Sequence, residues 1–433
     1  MRLVSTRRGA PSASPSEALR NGVAPDGGLY MPDPIPEFDL QELDPDATFA
    51  EFAASLLRPF FSGDALAAEL PDICTEALDF PAPLVTPDAR RPGLQALELF
   101  HGPTGAFKDF GARFLMGCFD RLADGGEPLT VLAATSGDTG GAVGCAAEGR
   151  SGVRAAILFP KGRVSAFQER QLCCWGEQVL AVEVDGDFDD CQQLVKAAFA
   201  DRGLSEHHRL TSANSINFGR LMPQLAYAAH AAVKVFKATG EKPGFVVPSG
   251  NLGHGFAVLL ARAMGMPVGP VVLASNANRT LKDWQLTGRF EPRASLQTIA
   301  NAMDVGNPSN FERVAALPPA ARDVQVELVT DDEIRSRIKS EYEASGYVWC
   351  PHSATAAEAW SRLPERARAE RPWIAAATAH PYKFADVVEP LIGRSIEPSP
   401  AFSTILHRPT RKLRISADLS HLADALGERA AAA

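Results

Sequence analysis

ELFHGPTGAFKDFGARF, residues 98–114, is the stretch from which the rest of the chain is read. Lys108 stands between a turn-forming run, Gly102-Pro103-Thr104-Gly105, and an amphipathic segment, so its amine is expected to project from a loop into the space before a helix. An arbitrary lysine is a solvated surface residue. Here Phe100, Phe107, Phe110 and Phe114 flank it, and four aromatics around one amine describe a partly dry pocket that lowers the lysine's pKa and frees its lone pair. An amine of that kind condenses with an aldehyde and holds a cofactor as a Schiff base that a substrate amine can later replace.

The surrounding composition narrows the partners. At 433 residues the chain is too long for one ordinary core and reads as two or three domains. Hydrophobic residues at 45% and charged residues at 22% describe an ordinary globular protein, and no apolar run approaches the length of a bilayer span. A net charge of −9 without a basic stripe argues against a nucleic-acid surface, which leaves small molecules as the expected partners. The seven cysteines are odd in number, and Cys173-Cys174 is an adjacent pair rather than a spaced metal-binding pattern. They read as reduced thiols in a cytoplasmic protein, with no metal site.

Residues 1–92 form an N-terminal region. Arg2, Arg7, Arg8 and several serines precede the first acid, Glu17, in superficial likeness to an organelle transit peptide. Asp26-Gly27-Gly28 signals a turn, Tyr30-Met31-Pro32 a short extended piece, and Phe49 to Leu70 a helical stretch ending before the proline-rich residues 81–92. Strand, glycine turn and helix then alternate. Leu129–Ala134, Ala155–Phe159 and Val179–Val184 read as buried strands, and Phe188–Phe199 as an amphipathic helix. The pattern predicts an α/β architecture with parallel-rich sheets, ligand sites at the strands' carboxyl ends, and two α/β domains over residues 93–240 and 241–433.

Three strand-to-helix turns carry chemistry. In Thr135-Ser136-Gly137-Asp138-Thr139-Gly140-Gly141, hydroxyls and backbone N–H groups face whatever lies beyond a helix start, and the same residues also serve as ordinary helix caps. Ser249-Gly250-Asn251-Leu252-Gly253-His254-Gly255 follows the strand Phe245–Pro248, and its glycines let backbone approach a phosphate closely. A dinucleotide fingerprint fits it poorly, because the glycine order is reversed. Thr211 to Arg220 is dense in amides and hydroxyls and ends on an arginine, whose planar fork matches phosphate oxygens; a plain polar cap for the helix that follows is the other reading.

LELFHGPTGAFKDFGARF, together with these loops, Asn301–Asn310 and Thr378-Ala379-His380-Pro381-Tyr382-Lys383-Phe384, resembles the pyridoxal-phosphate-dependent threonine synthases of the branch shared by many bacteria and fungi. The resemblance runs from about residue 3 to about residue 395 and extends to the N-terminal segment, which argues that the segment is retained. It implies the tryptophan-synthase-β-like fold, fold type II of the pyridoxal-phosphate enzymes, with an N-terminal helical region added. It implies Lys108 as the catalytic, cofactor-bearing lysine. Asp138, Ser249, Gly250, Asn251, Leu252, Gly253 and Thr378 are implied as further cofactor contacts, with Thr378 against the pyridine nitrogen and the Ser249–Gly253 loop on the cofactor phosphate. Thr135, Ser136, Gly137 and Thr139 are implied for the substrate carboxylate. Asn214, Ser215, Asn217 and Arg220 are implied for the substrate phosphate, with Lys161 and Arg163 as weaker candidates.

Gly105, Asp138 and His254 depart from residues common among relatives, and His352 reads as a structural histidine. The implied reaction converts O-phospho-L-homoserine and water to L-threonine and phosphate, with Lys108 as general base and the protein a cytoplasmic monomer. A phospholyase that eliminates phosphate from a related compound without adding water would use the same motifs. A non-catalytic member of the fold is disfavoured by the presence of Lys108 alongside both phosphate-type loops.

Overall fold

Short apolar runs bounded by glycine and proline turns become the strands of two parallel-rich sheets, which a chain of alternating strands and helices can bury on both faces. The computed structural model describes residues 1–123, 127–135 and 137–431. In chain order its strands are β1 (Leu3–Ser5), β2 (Tyr30–Pro32), β3 (Leu84–Val85), β4 (Leu94–Glu98), β5 (Leu129–Ala134), β6 (Val153–Pro160), β7 (Val179–Asp185), β8 (Leu210–Thr211), β9 (Gly244–Pro248), β10 (Val271–Ser275), β11 (Gln325–Leu328), β12 (Trp373–Ala377) and β13 (Leu413–Ser416). A five-stranded sheet has the order β13-β7-β6-β5-β8 with every pair parallel. A six-stranded sheet has the order β11-β10-β9-β12-β4-β3 and is parallel except at the β3 edge. β5, β9, β10 and β12 are buried along their whole length, as expected of strands covered by helices on both faces.

The two sheets do not follow the division at residue 240. β4, just before the lysine segment, pairs with β12 in the sheet of the second half, and β13 adds to the sheet of the first. Strand pairing is a long-range choice that a local apolar pattern does not encode. The consequence is that the Lys108 loop leaves one sheet and its helix enters the territory of the other.

In the N-terminal region the expected helical stretch Phe49–Leu70 is an α-helix only over Phe49–Leu57; a 3-10 turn at Arg58–Phe61 and further turns follow, and a second helix, Leu70–Ala77, begins at the expected end of the stretch. Pro59 interrupts the helical hydrogen-bond ladder at the 3-10 turn. The first helix and the 3-10 turn pack on the helix Lys108–Leu122: Phe61 of the turn meets Phe114 edge-on at 6.4 Å and Phe49 meets Phe110 at 5.7 Å. Both Phe110 and Phe114 are fully buried in that contact. Among the described residues no helix is long and apolar enough to cross a membrane, and all seven cysteines are free.

Candidate active site

The parallel pairing of β4 and β12 sets Glu98 beside Ala377, and the two chains stay hydrogen-bonded beyond the sheet's carboxyl end. The N–H of Leu99 donates to the Ala377 carbonyl, that of Phe107 to Thr378, and that of His380 to Gly105, each at 2.9 Å. Lys108 is thereby delivered next to Thr378 as the first residue of its helix. Gly105 has φ +67°, and a Cβ there would lie 2.2 Å from the Phe402 ring. The loop before Lys108 is therefore stiff at its glycine, because a left-handed turn and a neighbouring aromatic both exclude a side chain.

Lys108 is half-buried, and its amine lies 4.7 Å from the centroid of the Phe107 ring without a hydrogen bond among the described residues. Burial lowers its pKa to about 8; Arg220 adds to the effect and Asp138 opposes it. The expected ring of four phenylalanines is corrected to one. Phe110 and Phe114 lie two and six positions along the helix, which turns them to the opposite face, and Phe100 packs against His101 and His380. His254 completes the wall instead, stacked on Phe107 at 5.1 Å and meeting Tyr227 edge-on.

The turn after β5 opens the helix Asp138–Ala147. Its Thr135 hydroxyl accepts the N–H groups of Gly137 (3.0 Å) and Gly140 (2.9 Å), so it braces the turn. Gly137 and Thr139 stand beside it without lining the cavity, and Ser136 lies outside the described residues. Asp138 does line the cavity. Burial pushes its carboxyl upward, but Lys383, His352 and the Gln168 amide outweigh that and hold it below the ordinary carboxylate range.

The turn after β9 opens the helix Gly253–Ala263. Leu252 is left-handed at φ +63°, and no side chain caps the first N–H groups of the helix. Uncapped donors at a helix start suit a phosphate. The 301–310 loop closes over this turn. A Cβ on Gly250 would meet the Met303 backbone at 2.7 Å, and the Asn310 amide donates to the carbonyls of both Ser215 and Asn251. The Asn251 amide in turn donates to the Ser215 hydroxyl at 2.6 Å. Ser249, Gly250, Asn251, Leu252, Gly253, Ser215, Arg220 and Thr378 all line the cavity with Lys108.

Other expected substrate ligands are elsewhere. The Asn217 amide donates to the Leu19 and Ser212 carbonyls, and its oxygen accepts from Gly219, so it is a wholly internal brace. Asn214 lies outside the cavity lining. Lys161 is exposed and paired with Asp185 at 3.0 Å, and Arg163 is exposed. These residues look alike in sequence, but only the tertiary path decides which polar groups face inward.

Gln224, His254 and His352 line the cavity and were not among the expected ligands. Gln224 follows Arg220 by four residues, one helical turn, which is the signal that could have found it. His352 accepts the Ala302 N–H at Nε2 (3.1 Å), so its Nδ1 carries the proton, and burial lowers its pKa to about 4. The Nε of Arg220, the Oε1 of Gln224 and the Nδ1 atoms of His254 and His352 are buried without partners. Orphaned polar atoms around one cleft are what a polar ligand satisfies. The cleft's free space, its open mouth included, is about 710 Å³. A neutralisable amine, an uncapped helix start and a threonine hydroxyl in this cleft fit an aldehyde, a phosphate and a ring nitrogen. Among the described residues no cluster of His, Cys, Asp or Glu could hold a metal ion.

Comparison with known proteins gives the same direction. Residues 81–377 match the model for pyridoxal-phosphate dependent enzymes, residues 2–78 that for the threonine synthase N terminus, and residues 353–425 that for the threonine synthase C-terminal region. The chain is 38% identical to threonine synthase of Escherichia coli (strain K12) over 403 residues, covering 92% of each. Among solved structures it resembles PLP-bound threonine synthase from Brucella melitensis, with a TM-score of 0.91 and 34% identity over 99% of each chain. It also resembles threonine synthase from yeast, with a TM-score of 0.89 and 29% identity over 100% of this chain and 99% of that one. With the fold, the lysine cleft and matches of this extent in agreement, the chain belongs to the pyridoxal-phosphate-dependent threonine synthases.

Proposed function

We propose that the cleft converts O-phospho-L-homoserine and water to L-threonine and phosphate, with Lys108 as its catalytic residue. The observation that carries this reading is an unbonded amine with a pKa near 8 in one cavity with a helix start and an arginine suited to phosphates. Pyridoxal phosphate, when bound, supplies an electron sink for negative charge developing at the substrate's Cα. Lys108 would hold it through the aldehyde, Thr378 and Asp138 would address the ring, and Ser249 to Gly253 would take its phosphate.

The chain's own residues do the rest. Lys108, once free, removes and returns the proton at Cα, since its neutral form is accessible near neutral pH. Arg220 and Ser215 bind the substrate phosphate, which leaves from Cγ after a proton is lost from Cβ; a proton is then taken up at Cγ, which becomes the methyl group of the product. The guanidinium is held by its donation to the Ala213 carbonyl, so it is oriented before substrate arrives. The aromatic wall of Phe107 and His254 keeps bulk water from the reacting carbons while one water adds at Cβ. The free cysteines and the absence of a membrane-length helix among the described residues support a cytoplasmic enzyme, and we assign it as a monomer from the family resemblance.

Phosphorus and proton NMR of the loaded protein with O-phosphohomoserine in deuterated water tests this. Phosphate and threonine in equal amounts are expected. Phosphate with 2-oxobutyrate and ammonia would instead establish elimination without hydration.

A further inference from the structure

Lys383 has no part in the reaction as assigned above, yet it is one of the most enclosed charges in the molecule. It lies in the 3-10 turn Pro381–Phe384 that follows β12, and its side chain has no solvent exposure. Its ammonium donates to the Thr104 carbonyl at 2.7 Å and to the Gln171 side-chain oxygen, and it is ion-paired with Asp138 Oδ1 at 3.1 Å. With no solvent exposure and three oxygens around it, the ammonium is not placed to take a ligand itself. Whatever it does, it does through these partners.

The partners converge on Lys108 from two sides. The N–H and hydroxyl of Thr104 both donate to the carboxylate of Asp109, the residue after Lys108, so one arm of the network braces the lysine's loop and helix start. The other arm ends on Asp138, which lines the cavity. Gln171 donates to the Thr104 carbonyl as well, at 3.0 Å, and Gln168 donates to Asp138 Oδ1 at 3.1 Å, which closes the network on itself. The network also spans the two sheets: Lys383 follows a strand of the six-stranded sheet, while Asp138 opens the helix that follows β5 of the five-stranded one.

We propose that Lys383 is a positioning residue of the active site, whose buried ammonium joins the two α/β halves beside Lys108 and holds Asp138 as a carboxylate facing the cavity. This rests on the reading of that cavity as the cofactor site. The groups facing Asp138 are Lys383 from the turn after β12, Gln168 from the helix Ala166–Cys173, His352 and Cys350 at the start of the helix Pro351–Ser361, and Lys108 from its own helix. His352 and Cys350 are neutral near pH 7 because both are buried, one well below and the other above its ordinary range. Lys383 is thus the only Lys or Arg side chain paired with Asp138 among the described residues. Removing it takes away the largest of the influences that oppose burial, leaving the Gln168 amide, and moves the carboxyl upward.

The test uses Lys383→Met, Lys383→Gln, Lys383→Arg, Asp138→Asn and the Lys383→Met/Asp138→Asn double variant, each loaded with pyridoxal phosphate. Visible absorbance is followed from about pH 5 to about pH 9. Lys383→Met is expected to gain a titration that the parent lacks, and the double variant to lose it again, because the titrating carboxyl is gone. Lys383→Arg retains the charge and should restore the parent profile. Lys383→Gln keeps a donor for the Thr104 carbonyl without the charge and serves where Lys383→Met does not fold. A purely structural lysine would change stability but add no titration, and a parent-like profile in Lys383→Met or Lys383→Gln overturns the assignment.

The cofactor-free protein gives an independent readout. The urea midpoint of Lys383→Met should fall as the pH rises from about 4, the ordinary range of an unfolded carboxyl, to the raised folded value, because a folded-state carboxyl raised above its unfolded value stabilises most at low pH. The double variant should show no such slope, and absence of the slope in Lys383→Met counts against the proposal. If the parent binds no pyridoxal phosphate, the cavity reading fails by itself, and the apoprotein slopes still decide whether Lys383 holds Asp138 ionised.

Discussion

Two lysines face Asp138, and their surroundings make them opposites. Lys108 sits on the face of an aromatic ring with no hydrogen bond among the described residues, and burial lowers its pKa to about 8. Lys383 donates to a backbone carbonyl and a glutamine oxygen and is ion-paired with an aspartate. The difference teaches that burial alone does not make a lysine reactive. Burial without partners destabilises the ammonium and frees the lone pair, whereas a carboxylate and two further acceptors compensate the lost hydration.

The largest expected effect tests the reactive side. Lys108→Ala should lose the cofactor's visible absorbance and lower the rate of phosphate release by roughly 10²- to 10⁴-fold, the range for removing a positioned general base. A spectrum identical to the parent's would remove Lys108 from its role.

The next prediction concerns the locked side. Lys383→Met should destabilise the apoprotein by about 3–5 kcal/mol, since it leaves a buried carboxylate without its counter-charge. Urea unfolding at neutral pH reads this directly, and a loss within experimental scatter would show that the ammonium is dispensable.

Lys108→Met should have the opposite sign. The gap between 10.5 and about 8 corresponds to about 3 kcal/mol of disfavoured charge in the folded state at pH 7. Because the folded pKa is the lower one, that penalty is complete below about pH 8 and disappears as the pH rises towards 10.5, where the unfolded chain also becomes neutral. The variant's apoprotein is therefore expected to be more stable than the parent near pH 7 and about equal to it well above pH 10. A destabilised Lys108→Met at neutral pH would contradict the lysine's unsatisfied burial.

The smallest effect sharpens how the loop is held. Gly105→Ala should cost about 1–2 kcal/mol through its left-handed backbone and the close Phe402 ring, and the loss should shrink in a Phe402→Ala background. Additive losses in thermal unfolding would mean that the two positions do not meet.

Much of this was legible in the chain. The buried strands Leu129–Ala134 and Gly244–Pro248 stand where apolar runs are read, because a strand covered on both faces needs a continuous apolar run with a turn at each end. The turn after β9 was readable for a similar reason, since close backbone approach requires glycines at Gly250 and Gly253. Polar segments were harder. Ser215 and Asn217 are neighbours in one motif, yet one lines the cleft and the other braces the Leu19 and Ser212 carbonyls. An amide two residues along a turn can point to either side, and no local pattern reports which carbonyls will lie there.

By itself the sequence determined the family, the α/β alternation, the lysine and the two glycine turns, because each depends on local spacing or on a residue type that no other side chain replaces. The tertiary structure alone decided that β4 joins the sheet of β9 and β12, that Phe110 and Phe114 turn away from the amine, and that Lys383 reaches Asp138 across the two halves. Those outcomes rest on pairings between residues far apart in the chain, whose energies exist only once the backbone has brought them within contact.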